Sequence, residues 1–341
     1  MKTFKNIVIV LISIVIFASG CGGKTTETAK SSILSLEILS STGYHATGKS
    51  IIYENLLVVP VYDSVITIDT DDGKPHWRYS TTVDKAWNST WVAGGNNQFL
   101  CGFEADGIEM VVRLSRDKQV LQITKSEVEA SVPIWISDRW LRMSKNKFFG
   151  DGIDIEIPDS YPEFVHKNGN IFSQTIDGVI QARDLKGQLV WEYETHNENN
   201  YFQLFDLSWC LCLMAKNSIL TLDYETGAAI WEKGLNPTTM IRDTGDGLIF
   251  AENNIIKKID KEGLVTNEVE MTGKISDIAV ADDGYAILKP YRLELYNLDF
   301  ELDSDRYLNP DIDQVFVLPG GSVCVSGYSQ VFFKSRKAGQ D

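Results

Sequence analysis

Short apolar runs alternate with polar turns along most of the chain, and groups of such runs recur at intervals of about 40 residues. The segment 165–184, "VHKNGNIFSQTIDGVIQARD", contains a strand-like run, a turn, a second apolar run, a further turn and a third run. Similar groups occupy 242–260, 279–297 and 316–334. Three short strands per group, joined by tight turns, predict a chain built of repeated antiparallel sheets.

Dipeptides that favour positive φ separate the first and second runs in three of these groups. They are Asn168-Gly169, Asp246-Gly247 and Asp283-Gly284. Each is predicted to be a two-residue hairpin turn, because the common hairpin turns of this length need residues that tolerate positive φ.

The better-preserved groups continue into a fourth strand, and the turn that leads to it has a fixed composition. An Asp begins the turn, where its carboxylate can accept backbone N–H groups, and a Gly closes it, where positive φ is needed. A Trp follows on the fourth strand, with enough area to cover a neighbouring repeat. The complete copies are Asp69, Gly73 and Trp77; Asp184, Gly187 and Trp191; and Asp223, Gly227 and Trp231.

Four short strands in a period of about 40 residues are typical of β-propeller blades. Less regular copies of the turn are expected around Ser115, Asp151, Asp260, Asn297 and Lys334. The sequence therefore predicts an all-β fold, a β-propeller of about eight four-stranded blades, with seven as the alternative count.

We expect the last blade to end at its third strand, near Phe333, without a full fourth strand of its own. The segment 33–39, "ILSLEIL", alternates like a strand and precedes the first blade. We expect this N-terminal strand to complete the last blade, since an open ring would leave two unpaired sheet edges.

The spacing Ala/Thr-x-Asp-x-x-x-Gly-x-x-x-Trp resembles the tryptophan-docking repeat of quinoprotein (PQQ-like) β-propellers, with Thr67, Ala182 and Thr221 at its first position. The resemblance covers nearly the whole chain after residue 31 and implies Trp side chains that dock against neighbouring blades. The repeat is packing chemistry, so it indicates a fold more strongly than a function. Many quinoproteins also use two adjacent cysteines, which this chain lacks, and no bound quinone is predicted.

Residues 1–20 have the form of a secretory signal, with two lysines, an apolar run too short to span a bilayer, and small residues before Cys21. The "ASGC" junction resembles the bacterial lipobox, which implies a lipid on Cys21. A flexible tether is then expected over 21–31 and a single propeller domain over 32–341. An ordinary signal peptide with a Cys nearby is the alternative.

Composition narrows the classes of partner. Hydrophobic residues make up 43% of the chain, enough for a large core, and the formal net charge is −15, which repels phosphate backbones and argues against nucleic acid. The remaining cysteines have no CxxC or zinc spacing and are predicted to be buried small side chains. They are Cys101, Cys210, Cys212 and Cys324.

Other candidate chemistry has a simpler interpretation. The tripeptide "DTG" at 243–245 matches an aspartic-protease loop, but such an enzyme needs two, and a turn is predicted. The acids within 299–313 could hold Ca²⁺, although a solvated outer strand is the favoured interpretation. No metal pair is predicted among the histidines, and no catalytic, cofactor or metal residue is proposed. The histidines are His45, His76, His166 and His196.

A lipobox, a tether and a docking-type propeller together resemble the BamB-type lipoproteins of the outer-membrane β-barrel assembly machinery. This implies a non-enzymatic, lipid-anchored scaffold for envelope proteins, in the outer membrane if the cell is Gram-negative, and acting as a monomer or within a hetero-complex. The alternatives are a degenerate quinoprotein enzyme and a sensor of glycans or peptides. Exposed aromatics would favour the sensor, and Trp87, Trp91 and Tyr161 are its candidates.

Overall fold

The computed structural model describes residues 35–336 except 43, 45, 82–86, 127–130, 137, 196–200, 240, 309–310, 319–320 and 328. The described residues belong to one compact unit, Ile33–Asp341. The expected signal peptide, Cys21 and the tether lie outside the described residues. Over the described part of the chain, no helix has the length and apolar character needed to cross a membrane.

The strands form eight four-stranded antiparallel sheets, which confirms the predicted all-β propeller and its larger blade count. The first strand is β1 (Ser35–Thr42). Blade 1 contains β2 (Ile51–Tyr53), β3 (Leu56–Val61), β4 (Ser64–Asp69) and β5 (Pro75–Ser80). Blade 2 contains β6 (Asn88–Gly95), β7 (Gln98–Ala105), β8 (Ile108–Ser115) and β9 (Val120–Ser126). Blade 3 contains β10 (Ile134–Ile136), β11 (Arg139–Ser144), β12 (Lys147–Gly150) and β13 (Ile153–Glu156).

The remaining blades follow the same order. Blade 4 contains β14 (Ser160–Lys167), β15 (Asn170–Thr175), β16 (Val179–Asp184) and β17 (Leu189–Glu194). Blade 5 contains β18 (Gln203–Asp206), β19 (Leu211–Ala215), β20 (Ser218–Leu222) and β21 (Ala229–Lys233). Blade 6 contains β22 (Arg242–Asp243), β23 (Gly247–Glu252), β24 (Ile255–Asp260) and β25 (Val265–Glu270). Blade 7 contains β26 (Asp277–Ala281), β27 (Gly284–Lys289), β28 (Arg292–Asn297) and β29 (Leu302–Tyr307). Blade 8 contains β30 (Ile312–Val317), β31 (Val323–Gly327), β32 (Gln330–Arg336) and β1.

The order of strands within a blade gives the propeller two distinct faces. First strands of adjacent blades contact one another at the centre, and fourth strands lie at the rim. Because successive strands are antiparallel, the 1–2 and 3–4 turns lie at one end of every sheet, which we call the turn face. The 2–3 turns and the connections between blades lie at the other end, the crossover face.

The ring is closed by the N-terminal strand, as the sequence predicts. Strand β1 pairs antiparallel with β32, from Ser35 opposite Arg336 to Thr42 opposite Gln330, with a bulge between Ile38 and Ser40. The strand thus begins on the turn face, beside the end of β32. Closure removes the two sheet edges that an open ring would leave unpaired.

One predicted hairpin turn is confirmed and two are wrong by one or two residues. Asn168 and Gly169 have φ values of 51° and 80° and form the turn between β14 and β15. Gly247 and Gly284 instead begin strands β23 and β27. Glycine is needed there because a Cβ would collide with the backbone oxygen of the neighbouring third strand, on Ile259 and Tyr296 respectively.

The core lies between adjacent blades. Second strands such as β3 and β27 are buried along their whole length, because neighbouring blades cover both faces of each sheet. One cluster joins blades 4 and 5 through Phe172, Trp191 and Leu213. Burying each large apolar side chain stabilises the fold by about 1.5–3 kcal/mol. Fourth strands such as β5 alternate between half-buried and exposed positions.

Candidate functional site

The nine motif residues occupy equivalent places in blades 1, 4 and 5. Asp69 and Asp184 end third strands, and Asp223 directly follows one. Each carboxylate accepts a turn amide at 2.8 Å; the amide donors are those of Asp71, Lys186 and Thr226. Each Gly lies in the 3–4 turn with positive φ, at 67° for Gly73, 85° for Gly187 and 69° for Gly227. Each Trp lies on the fourth strand, at Trp77 in β5, Trp191 in β17 and Trp231 in β21.

Each of the three indole N–H groups donates to a backbone carbonyl in the 3–4 turn of the following blade. The distances are 2.8 Å from Trp77 to Arg116, 3.0 Å from Trp191 to Tyr224 and 3.1 Å from Trp231 to Lys261. The acceptor in each case is the residue after the position of the motif Asp. A hydrogen bond of this kind contributes about 1 kcal/mol, and it fixes the register of one blade on the next.

The indole rings also explain why the following turn carries glycine. A Cβ placed on Gly227 would lie 2.6 Å from the ring of Trp191, and one on Gly263 would lie 2.8 Å from the ring of Trp231. In blade 3, whose fourth strand has no Trp, Ile155 takes the ring's place and would collide with a Cβ on Gly187. Glycine is therefore needed at this position for two reasons: it tolerates positive φ, and it has no Cβ to collide with the side chain from the preceding blade.

Turns without the motif Asp keep a hydrogen bond to a turn amide, which another side chain accepts. Ser115 accepts the amide of Gln119 at 2.9 Å, and Asn297 accepts that of Glu301 at 2.9 Å. The Gly position is filled at positive φ by Lys118 and Phe300.

Two further interfaces between blades lack a docked Trp. The blade before Phe300 has Asn267 in place of a Trp. The Phe300 ring stacks on Tyr285 of its own blade with centroids 4.6 Å apart, and both rings lie in a core cluster with Ile249 of blade 6. Around Asp151 the turn is shorter, and the Asp151 carboxylate receives Arg113 of blade 2 at 3.2 Å.

Two of the three aromatics proposed for a ligand sensor are buried, so that expectation is wrong for them. Trp87 is 3% exposed and Trp91 is 9% exposed. Trp91 donates to Glu109 at 2.9 Å and lies under the guanidinium of Arg142, which forms a 2.6 Å ion pair with the same carboxylate. Tyr161 is half-buried and packs edge to face on Tyr201.

The other residues with candidate chemistry have structural explanations. Asp243 accepts the amide of Gly245 at 2.7 Å, so the "DTG" segment is a turn, as predicted. Burial raises the pKa of each of the four buried cysteine thiols, which are free. Asp305, on the acidic outer strand β29, pairs with Arg292 at 2.7 Å. Within the described ranges, no group of three or more His, Cys, Asp or Glu side chains could hold a metal ion.

Exposed aromatic side chains concentrate on the crossover face. Tyr62 and Tyr291 lie on 2–3 turns, Tyr201 precedes a first strand, and Tyr307 ends a fourth strand. They are 56%, 58%, 44% and 79% exposed, respectively. Tyrosine is enriched in protein interfaces because it combines a large apolar ring with a polar tip. We call these four residues the tyrosine set; sequence periodicity does not distinguish them from core tyrosines.

A cleft of about 500 Å³ opens on the same face, between the connection into blade 1 and the start of blade 8. Its polar lining includes Thr47, Lys49, Asp311, Asp313 and Gln314. Blade 7, which carries two members of the tyrosine set, lies on one side of this cleft in the ring, and blade 1, which carries another, lies on the other.

A buried carboxylate ties together the first strands of blades 6, 7 and 8. Asp277 accepts Arg242 of β22 at 2.7 Å and the amide of Val315 of β30 at 3.1 Å. Burial raises its pKa in spite of the guanidinium. By contrast, the hydroxyl and amide of Thr226 lower the pKa of the motif residue Asp223.

These features define an eight-bladed, ring-closed β-propeller with an aromatic crossover face. BamB from Moraxella catarrhalis is similar in fold, at 12% identity and a TM-score of 0.66 over 88% of this chain and 100% of that one. The computationally designed Ika8 protein is similar at 13% identity and a TM-score of 0.69, over 88% of this chain and 98% of that one. The expected resemblance to BamB-type propellers is thereby confirmed for the fold.

The same architecture occurs in a protein of another kind. Dihydro-heme d1 dehydrogenase NirN in complex with DHE matches at 12% identity and a TM-score of 0.64, over 78% of this chain and 67% of that one. No protein-family model matches this chain, and no curated protein matches it. Identities this low show a shared fold and leave the function to be argued from the residues.

We predict that Gly227→Ala destabilises the protein more than Gly152→Ala. Both glycines lie in 3–4 turns at nearly the same positive φ, but a Cβ on Gly152 meets nothing within 4 Å. Both variants should lose about 1–2 kcal/mol to backbone strain, and Gly227→Ala a further 1–3 kcal/mol from overpacking against Trp191. Urea unfolding measures the difference, and equal losses would contradict docking of the ring on the turn.

We also predict opposite pH dependences for Asp277→Asn and Asp223→Asn. The raised pKa of Asp277 means that the folded state takes up its proton first, so wild type gains stability relative to Asp277→Asn as pH falls towards 3.8, the ordinary value. The lowered pKa of Asp223 means that wild type loses its advantage over Asp223→Asn as pH falls below 3.8. Chemical unfolding at several pH values tests the signs, and parallel curves would contradict the assignment.

Proposed function

We propose that the protein is a non-enzymatic β-propeller scaffold that binds other proteins in the bacterial cell envelope and is anchored to the membrane through a lipid on Cys21. The observation that carries the proposal is the tyrosine set, whose four exposed rings share the crossover face. Loops and turns held on a rigid frame are common sites of recognition, and exposed tyrosines supply contact area at low entropic cost.

Strand β1 begins at Ser35 on the turn face, so the tyrosine set lies at the opposite end of the sheets. The lipobox-like junction supports the anchor, and the resemblance of the repeat and fold to BamB-type propellers supports a role in outer-membrane protein assembly if the cell is Gram-negative.

The buried charges support a scaffold because they are engaged in packing. Lys289 and Glu294 form a 2.5 Å ion pair within blade 7. Arg142 of blade 3 binds Glu109 of blade 2. Asp277 joins three blades through the bonds described above. The contacts of Arg142 and Asp277 fix the geometry of adjacent sheets.

The cleft beside blade 8 favours a second candidate function, recognition of a small polar ligand or peptide. It is open to the crossover face and lined by Lys49 and by Asp311 and Asp313, so it could receive groups of either charge. In this case Lys49→Ala would weaken binding of the ligand without changing the tyrosine-dependent contacts.

The lipid anchor is tested by Cys21→Ser. We expect wild type to fractionate with membranes and to carry a diacylglyceryl addition by intact-mass analysis, and the variant to stay unprocessed or soluble. A wild-type mass without lipid would contradict the anchor but would leave protein binding by the propeller open.

The binding face is tested by placing a photo-crosslinking amino acid at Tyr291 or at Leu264, one at a time, in cells. These positions are 58% and 64% exposed and lie on the crossover face and the turn face, respectively. We expect discrete protein adducts from Tyr291 and few from Leu264. Equal yields from the two positions, or no adducts from Tyr291, would contradict a protein-binding crossover face.

A further inference from the structure

The fourth strand of blade 2 has an unusual exposure. Its apolar residues Val120, Leu121 and Ile123 are 48%, 49% and 52% exposed, and the polar residues between them are also exposed. Successive residues of a strand point to opposite sides of the sheet, so both sides of β9 face solvent. Other fourth strands, such as β17 and β25, alternate and turn one side towards the next blade.

The short blade 3 accounts for this exposure. Its fourth strand, β13, has four residues, whereas β9 has seven. Gln122 stands in β9 where other blades carry the docked Trp, opposite Arg113 in the strand register. Blade 2 contacts blade 3 through the ion pairs of Arg113 with Asp151 and of Glu109 with Arg142. Trp91 also packs with Trp135 and Trp140 of blade 3, and none of these residues lies in β9.

The edge of β9 also lacks the acidic residues that several other rim strands carry. An exposed sheet edge is normally protected from pairing by charges, and β17, β25 and β29 each carry two acids. Strand β9, "VLQITKS", has Lys125 and no acid. Lys118, in the turn just before the strand, is exposed as well.

We propose that β9 is a strand-addition site, at which an extended apolar segment of another protein, with acidic residues at both ends, joins blade 2 as a fifth strand. Strand β9 is the last strand of its sheet, so its outward N–H and C=O groups are a row that only an extended backbone can match. Apolar residues on both sides of β9 favour apolar residues on both sides of the added strand.

The positive charges near the ends of β9 favour acidic residues at both ends of the added segment. They also argue against a second copy of this chain as the occupant. Lys118 and Lys125 lie near the two ends of β9, where acids on the incoming strand would oppose them. Two copies paired antiparallel through β9 would place these lysines opposite one another, and like charges repel. The site lies on the rim, so it is separate from the tyrosine set and goes beyond the function proposed above.

The probe is a labelled peptide of alternating Val and Thr with Glu at each end, titrated with the full lipid-anchored protein in detergent and followed by fluorescence anisotropy. We expect Ile123→Lys to weaken binding by about tenfold or more, since it places a charge on the pairing surface. Ile230→Lys is the matched control, because Ile230 is 43% exposed on the fourth strand of blade 5. Equal effects of the two changes, or no binding of the peptide at millimolar concentration, would overturn the proposal.

Two further peptides separate the contribution of charge from that of backbone hydrogen bonding. The same peptide with Lys at each end should bind several-fold more weakly at low salt, and a backbone N-methylated form should lose binding because it cannot complete the ladder. Amide hydrogen exchange should show protection over 120–125 when the Glu-ended peptide is added. Equal binding of all three peptides, or protection elsewhere in the chain, would overturn strand addition at β9.

Sedimentation of the protein without peptide tests whether a second copy of this chain occupies the edge of β9. We expect a species of constant mass over the accessible concentration range. A dimer that Ile123→Lys dissociates and Ile230→Lys does not would show that a second copy occupies the edge, which overturns the proposal. Substituting the tyrosine set by serine should leave peptide binding unchanged. The proposals for β9 and for the crossover face can therefore be contradicted independently.

Discussion

Contact between the fourth strand of one blade and the 3–4 turn of the next is the interaction on which the ring depends. A four-stranded blade buries its two sides only against its neighbours, so every interface must be filled for the propeller to hold together. At Trp191 the indole lies against Gly227 and donates to the carbonyl of Tyr224, which combines apolar burial with a fixed register. The last interface can be filled only because β1 returns to pair with β32.

Interfaces without a docked Trp show how the repeat diverges while the ring persists. Ile155 fills the place of the indole before Gly187, and Phe300 occupies the glycine position of blade 7, which follows a blade without the Trp. Between blades 2 and 3 the Arg113–Asp151 ion pair substitutes for the ring. An ion pair covers less area than an indole, and the rim strand β9 is left open there.

The two faces of the propeller therefore have different properties, with the N-terminal strand entering on one and the exposed tyrosines gathered on the other. Strand direction alone produces this division, because the 2–3 turns and the connections between blades are always at the end opposite the 3–4 turns. The crossover face and the rim strand β9 are therefore separate surfaces of one frame.

Much of the frame follows from local chemistry that the sequence displays. Asp223, Gly227 and Trp231 fulfil their turn and strand preferences within one blade, so their spacing was enough to predict the blades. The closing strand was predicted from the alternation of residues 33–39. The sequence alone could not distinguish a glycine at positive φ from Gly247, which is needed because another strand passes close by. The burial of Trp91 depends on Arg142 from the next blade. The exposure of β9 depends on the short fourth strand of blade 3. Those properties arise between blades, where residues distant in sequence meet, and only the tertiary structure decided them.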